Sequence, residues 1–111
     1  MSFDEELAER IRTLTASERG VTEQRMFGGL AFLVNGHMAV AASGQGGLMV
    51  RVDPVESELL VASTSATPFE MRGRAMSGWV RVSAAAVECD SELASWVDRG
   101  AAFTRSLPPK R

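Results

Sequence analysis

Residues 26–50, MFGGLAFLVNGHMAVAASGQGGLMV, decide the fold, because these twenty-five positions between Arg25 and Arg51 hold no charged side chain. Asn35-Gly36 and the segment 43–47 interrupt the run where β-hairpin turns belong. Asn-Gly is the strongest short-range hairpin signal, since both central positions of that turn need a positive φ. We therefore predict three antiparallel strands at roughly 24–34, 37–42 and 48–53, which form the centre of one sheet.

The uncharged run is also longer than the roughly 20 residues that span a bilayer. It contains several glycines together with Asn, Gln, Ser and His, and no excess of Lys or Arg flanks it to orient a span. This composition favours a folded sheet, and we expect no contact with a membrane.

Helical patterns precede and follow the predicted strands. Ser2 and Glu5 match a capping box, and an apolar stripe follows on a helix of about 13 residues, at Phe3, Leu7, Ile11 and Leu14. Asp53-Pro54 predicts the start of a short helix through Ala62. That helix is expected to bury Val55, Leu59 and Leu60. A last helix, capped by Asp90 or Ser91, carries apolar residues at helical spacing up to Leu107.

Two further strands complete the predicted sheet. One spans 67–71, where Pro68 indicates either an edge position or the start of a strand, and the other spans 79–82. The segments 72–74 and 77–78 are expected to bracket a turn. The predicted order is α-β-β-β-α-β-β-α, which indicates a two-layer α+β fold with about five antiparallel strands in one domain over residues 1–111.

Bulk composition restricts the class of protein. The net charge of −2 gives no global attraction for nucleic acid, although residues 99–111 carry four bases and no acid. A single cysteine excludes an internal disulfide and fits a reducing compartment. The acidic N-terminus does not match a signal peptide, so we expect a cytoplasmic protein.

The segment Arg25-Met26-Phe27-Gly28-Gly29-Leu30, the hairpin after it and the strand Leu48–Asp53 resemble the N-terminal domain of the TfoX/Sxy family. Pro68-Phe69 and Trp79-Val80 are similar to later parts of that family's pattern. The resemblance implies a two-layer α+β fold, similar in topology to the type III secretion chaperones. It also implies a regulatory module, since larger relatives act as co-regulators of competence genes. Those relatives add a helical domain, and this chain resembles the N-terminal domain in its stand-alone form.

Few residues are candidates for a catalytic or metal-binding role. His37 follows a hairpin turn with no second histidine in the chain, and Cys89 precedes the last helix, where a thiol pKa can fall. A thiol enzyme would need these two in contact. The segment 43–47 lacks the lysine of a phosphate-binding loop. We therefore expect no catalytic residue, no cofactor and no metal, and hence no enzyme.

Strand one is apolar on both faces, so either the terminal helices split between the two faces or the second face contacts another molecule. We favour the second alternative, because a large apolar sheet face marks an interface. We predict a non-enzymatic domain that binds a protein partner and forms a homodimer. The candidate contact residues are Arg25, Met26, Phe27, Gly28, Gly29, Met49, Arg51, Trp79 and Arg81. The alternative to a contact surface is a solvated face with scattered ion pairs. The alternative function is a nucleic-acid-associated regulator that uses the sheet arginines and the basic C-terminal tail.

Overall fold

The computed structural model describes residues 4–26, 28–44, 46–64, 66–71 and 73–108. Within those ranges the chain forms three helices and six strands. In chain order these are α1 (Glu5–Thr15), β1 (Val21–Met26), β2 (Gly29–Val34), β3 (His37–Ala42), β4 (Leu48–Arg51), α2 (Ser57–Ser63), β5 (Thr67–Met71), β6 (Arg74–Val82) and α3 (Asp90–Arg105). No helix in this described part is long and apolar enough to cross a membrane.

The six strands form one open antiparallel sheet in the order β1-β2-β3-β4-β6-β5. The predicted α+β class with an antiparallel sheet is confirmed, and the described part contains six strands where about five were expected. The edge position predicted for the strand with Pro68 is confirmed, since β5 pairs only with β6.

The sixth strand comes from the region 21–34. We predicted one strand over 24–34, and that prediction is wrong, because β1 and β2 are two strands that pair with each other through Met26 and Gly29. Gly28 lies in the turn with φ of +77°, a conformation that glycine adopts without a steric penalty. The segment VTEQR in β1 is mostly polar, so no apolar alternation identified it as a strand.

The other hairpins follow their turn residues. Asn35 and Gly36 have φ of +53° and +87°, as a two-residue turn between β2 and β3 requires. Between β3 and β4 the Ser43 N–H donates to the Gly47 carbonyl at 3.0 Å. Ser43 and Gly47 therefore close the hairpin between β3 and β4, as predicted.

All three helices contribute to one apolar core on a single face of the sheet. Leu7 and Ile11 of α1, Leu60 of α2 and Trp96 of α3 belong to the same buried cluster. The sheet supplies Leu30, Phe32, Val40, Ala42, Leu48, Val50, Val80 and Val82 to this cluster. We call this the covered face, and the opposite side the open face.

Helix α3 approaches the sheet most closely at Gly100. A Cβ at this position would lie 2.6 Å from the Ala39 carbonyl oxygen, so only glycine lets the helix pack here. The register of β2 and β3 shifts between Phe32 and Leu33, which leaves Ala39 without a partner in β2. The irregular residue of β3 therefore lies directly under the helix.

Helix α1 differs from the prediction at its start. Its N-cap is Asp4, whose carboxylate accepts the Leu7 N–H at 3.1 Å, so the predicted capping box of Ser2 and Glu5 is wrong. Ser2 and Phe3 themselves lie outside the described residues. Leu14 is 37% exposed and does not belong to the buried stripe.

Helix α2 begins later than predicted. Asp53 accepts the Val55 N–H with its side chain at 2.9 Å and the Glu56 N–H with its carbonyl at 2.8 Å, which forms a turn. The helix then starts at Ser57, and this start directs Leu60 into the core. The expected burial of Val55 and Leu59 is wrong, since they are 88% and 66% exposed.

Two predicted boundaries near the C-terminal half also move. Ser77 and Gly78 lie inside β6, because Gly78 takes a φ of +89° within the strand and its carbonyl accepts the Val52 N–H at 2.8 Å. Helix α3 is capped by Cys89 and not by Asp90 or Ser91. The Leu93 N–H donates to the Cys89 carbonyl at 3.0 Å, which starts the helix one residue earlier.

Candidate functional site

Four predicted contact residues lie together on β4 and β6. Met49 lies opposite Arg81 and Arg51 opposite Trp79 in the antiparallel register. Residues directly opposite each other in such a ladder share a face, and this is the face opposite to Val50 and Val80. We call these four residues the sheet patch.

Arg51 is held between two aromatic rings. Its guanidinium carbon lies 5.6 Å from the centroid of the Trp79 ring and 5.7 Å from that of Phe103 on α3. Both distances are within the range of a cation–π interaction. Arg81 donates to the Gly46 carbonyl at 3.0 Å, which ties β6 to the β3–β4 turn. The two cations of the sheet patch are thus fixed in position and half-exposed.

Trp79 also lines a groove of about 400 Å³ where α2 meets β5 and β6. The groove has apolar walls contributed by Pro54, Val55, Val61, Pro68, Met76 and Trp79. Glu58 is the charged residue among the described lining residues. This volume falls within the range of natural binding clefts, and Trp79 makes the groove continuous with the sheet patch.

Exposed apolar side chains concentrate around this groove. Val55 is 88% exposed and Met76 is 39% exposed, and both line it. Leu59, 66% exposed, follows Val55 by four residues. A cluster of exposed apolar residues marks an interaction site more often than isolated ones do. The sequence pattern missed this site, because Val55 and Leu59 were assigned to the core.

The motif Arg25–Gly29 is not a continuous surface with the sheet patch. Arg25 lies opposite Leu30, which places it on the covered face at the edge of the sheet. Phe27 and the side chain of Met26 lie outside the described residues. A Cβ on Gly29 would lie 2.4 Å from the Ala42 carbonyl oxygen, whereas one on Gly28 would meet nothing within 4 Å. Gly29 therefore serves close backbone packing.

The central strands β2 and β3 are apolar on the open face and present small residues at its centre. Ala31 and Ala41 lie opposite each other and are only 0% and 6% exposed. Leu33, Met38 and Met49 around them are half-buried. The buried cluster that holds the three helices contains none of these five residues. Half-buried side chains and alanines thus form this surface.

The sequence of the chain matches the model of the TfoX N-terminal domain over residues 13–104. The chain belongs to the TfoX N-terminal domain family. The match covers the sheet patch, the groove and every helix and strand except the first part of α1 and the last residue of α3. A search of curated proteins found no match.

This TfoX N-terminal domain keeps its histidine and its cysteine apart. A ring nitrogen of His37, Nε2, lies 2.6 Å from the Pro108 carbonyl oxygen, beyond the C-terminal end of α3. Cys89 lies at the N-terminal end of the same helix. A helix of 16 residues is about 24 Å long, so the two side chains do not form a nucleophile and base pair.

Cys89 is exposed, and its sulfur lies 3.1 Å from the Ser91 hydroxyl. That hydrogen bond, with those of the Glu92 and Ser91 backbone N–H groups, lowers the pKa of the Cys89 thiol. In the described ranges, no three His, Cys, Asp or Glu side chains are grouped as a metal site would require.

Half of the basic C-terminal segment is engaged within the TfoX N-terminal domain itself. Arg105 pairs with Glu18 at 2.9 Å, and Arg99 pairs with Glu56 at 3.5 Å. Lys110 and Arg111 lie outside the described residues. Two of the four bases that we assigned to phosphate contacts thus have carboxylate partners in the same chain.

Proposed function

We propose that this TfoX N-terminal domain is a non-enzymatic regulatory module that binds a protein partner through the groove and the sheet patch. The observation that carries the proposal is the exposure of Val55 and Met76 beside Trp79. Burial of a Val side chain contributes about 1.5–3 kcal/mol, so a partner that covers this groove gains apolar contact at little cost in reorganisation.

The charges around the groove define the chemistry of the partner. Arg51 and Arg81 stand half-exposed on one side of Trp79, and apolar residues stand on the other. A partner segment that fits this surface carries an apolar side chain, which enters the groove, and neighbouring carboxylates, which pair with Arg51 and Arg81. In this proposal the domain regulates its partner by binding to it, and no covalent bond is made or broken.

The partner is identified by affinity purification from the native cell with mass spectrometry, and its affinity is then measured with purified proteins. We expect Val55→Asp to weaken binding about tenfold or more, because it places a carboxylate at the apolar wall of the groove. Since Val55 is 88% exposed, the substitution should leave folding intact.

Leu14→Asp is the matched control. Leu14 is also an exposed apolar residue, on α1 and outside the groove, so this variant should bind like the wild type. Equal affinity of the Val55→Asp and Leu14→Asp variants for the identified partner would contradict the proposed surface.

Nucleic-acid binding is the alternative function, and salt distinguishes it. Phosphate contacts weaken steeply as salt rises, since bound counterions are released on association. Burial of apolar surface is strengthened by kosmotropic salts such as sulfate. A complex that survives high salt supports a protein contact. A steep loss of affinity for single-stranded DNA on adding salt would favour the alternative.

We also propose a homodimer as the assembly of this domain. The groove and the sheet patch are assigned to the partner protein, so two copies need a different surface. The strands at the two edges of the sheet are the candidates.

A further inference from the structure

The two edges of the sheet differ in their capacity to pair with another strand. β5 carries Pro68, which has no N–H to donate, and its register with β6 shifts between Pro68 and Glu70. β1 contains no proline and pairs with β2 without a shift over all six residues. The edge at β1 is therefore a regular template for strand addition, and the edge at β5 is not.

Hydrogen-bond alternation shows which residues of β1 point outward. The Asn35 N–H donates to the Gly20 carbonyl at 3.0 Å, so these two form a hydrogen-bonded pair next to the strand. In an antiparallel ladder such pairs alternate with pairs that make no hydrogen bond. Thr22 and Gln24 thus bond to β2. Val21, Glu23 and Arg25 direct their N–H and C=O groups to the outer edge, where no described strand lies.

Charge selects one register for pairing two copies through these outward residues. A two-fold axis at Glu23 would place Glu23 opposite itself, and an axis at Arg25 would place Arg25 opposite itself. An axis at Gln24 places Glu23 of each copy opposite Arg25 of the other. Only this last arrangement brings opposite charges together, and it does so twice.

We propose that two copies of this chain pair antiparallel through β1, with Gln24 on the two-fold axis and Glu23 facing Arg25 of the second copy. The two sheets then join into one continuous sheet of twelve strands. This inference rests on the proposed homodimer and names its surface. It leaves the groove and the sheet patch of both copies accessible to partner proteins.

Helix α1 supports this role of Glu23. Arg12 donates to both carboxylate oxygens of Glu23, at 2.6 and 2.9 Å, and so fixes the carboxylate beside the edge. This hydrogen bonding lowers the pKa of Glu23 and keeps it ionised. A carboxylate has about four acceptor sites, so room remains for a guanidinium of the second copy.

Charge reversal tests the register with the purified chain alone. Sedimentation equilibrium of the wild type should show a dimer of 11.9 kDa subunits that dissociates on dilution. Arg25→Glu places two glutamates opposite each other, and Glu23→Arg places two arginines opposite each other. Each variant should raise the dimer Kd about tenfold or more. An equimolar mixture of the two variants should restore dimers, because Glu and Arg then face each other at every pair.

Arg74→Glu is the matched control, since it makes the same charge change at an exposed position on β6, away from β1. This variant should dimerise like the wild type. Circular dichroism melting checks that each variant is folded.

Amide hydrogen exchange of the wild type tests the same interface without any substitution. The Glu23 and Arg25 amides should be protected at high protein concentration and exchange on dilution. A monomer at all concentrations would overturn the proposal. So would a dimer that withstands both single charge reversals while the Glu23 and Arg25 amides stay unprotected. Neither result bears on partner binding, which is measured separately with the Val55→Asp variant.

Discussion

The two faces of the central strands carry different side chains, although both are apolar in the sequence. On the covered face Phe32, Val40 and Val50 are 1% exposed or less beneath the helices. On the open face Ala31 and Ala41 occupy the centre, and Met49 with other half-buried residues surrounds them. Phe32, Val40 and Val50 therefore lie where the helices cover them, and the two alanines lie on the face that no described helix covers.

This difference explains how the domain keeps an uncovered sheet face. Alanines expose little apolar area even without a helix above them, because taller neighbours screen them. The larger groups at the β4–β6 end include Arg51 and Arg81, which hold charge at the surface. The exposed apolar area is concentrated instead at the groove beside α2.

The largest expected effect sharpens the contrast between the faces. Leu48→Ala removes a fully buried side chain from the core and should lower the free energy of unfolding by about 2–5 kcal/mol. Leu33→Ala is the matched change on the open face, and it should cost about 1 kcal/mol because Leu33 is only half-buried. Urea denaturation measures both. Equal losses would show that the open face is covered as fully as the other.

A second prediction concerns the two glycines of the motif. Gly29→Ala should destabilise by about 2–3 kcal/mol, because the new Cβ would lie 2.4 Å from the Ala42 carbonyl oxygen and backbone must move. Gly28→Ala meets no atom within 4 Å and should cost only about 1–2 kcal/mol, from the positive φ. Thermal melting of the two variants gives the order. A reversed order would contradict the packing role of Gly29.

The smallest expected effect concerns the ion pair between Arg12 and Glu23 at the edge of the covered face. Arg12 lowers the pKa of Glu23, so the folded state binds this proton less readily than the unfolded state. The resulting stability is present above the unfolded pKa of about 4.3 and is lost as pH falls through the lower folded pKa.

Glu23→Gln should therefore lower the Tm at pH 7 by less than about 4 °C, and the difference from wild type should vanish in acid. Glu58→Gln makes the same chemical change on α2, away from Arg12, and should leave the Tm unchanged. A constant difference between Glu23→Gln and wild type at all pH values would contradict an ionic origin.

Much of the sheet could be predicted from the sequence because its signals are local. Asn35-Gly36 and the glycines of 43–47 indicate hairpin turns, and Gly36, Gly46 and Gly47 take a positive φ in the structure. Alternation of Leu48, Val50 and Val52 with Met49 and Arg51 then fixes which side is buried. Whether Arg51 and Arg81 share a face with Trp79 depended on the pairing of β4 with β6, which places Arg51 opposite Trp79.

Two of the wrong predictions have different physical causes. β1 has no apolar alternation, and its position follows from pairing with β2 and from the Arg12–Glu23 ion pair. The expected core of α2 failed because Asp53 binds two backbone N–H groups, which delays the helix and rotates Val55 to solvent. The first outcome depends on a contact with Arg12, eleven residues from Glu23 and outside a short window. The second is local, because the Asp53 turn competes with the helix start that Asp53-Pro54 predicted.

The sequence by itself determined the α+β class, the positions of the hairpins around residues 35 and 45, and the buried face of β4, because turn geometry and two-residue periodicity act locally. Only the tertiary structure decided that all three helices cover one face, that Trp79 joins the sheet patch to a groove, and that β1 is a regular edge strand of the described sheet. These features arise from packing between distant segments, where long-range contacts set the position of each element and local preference does not.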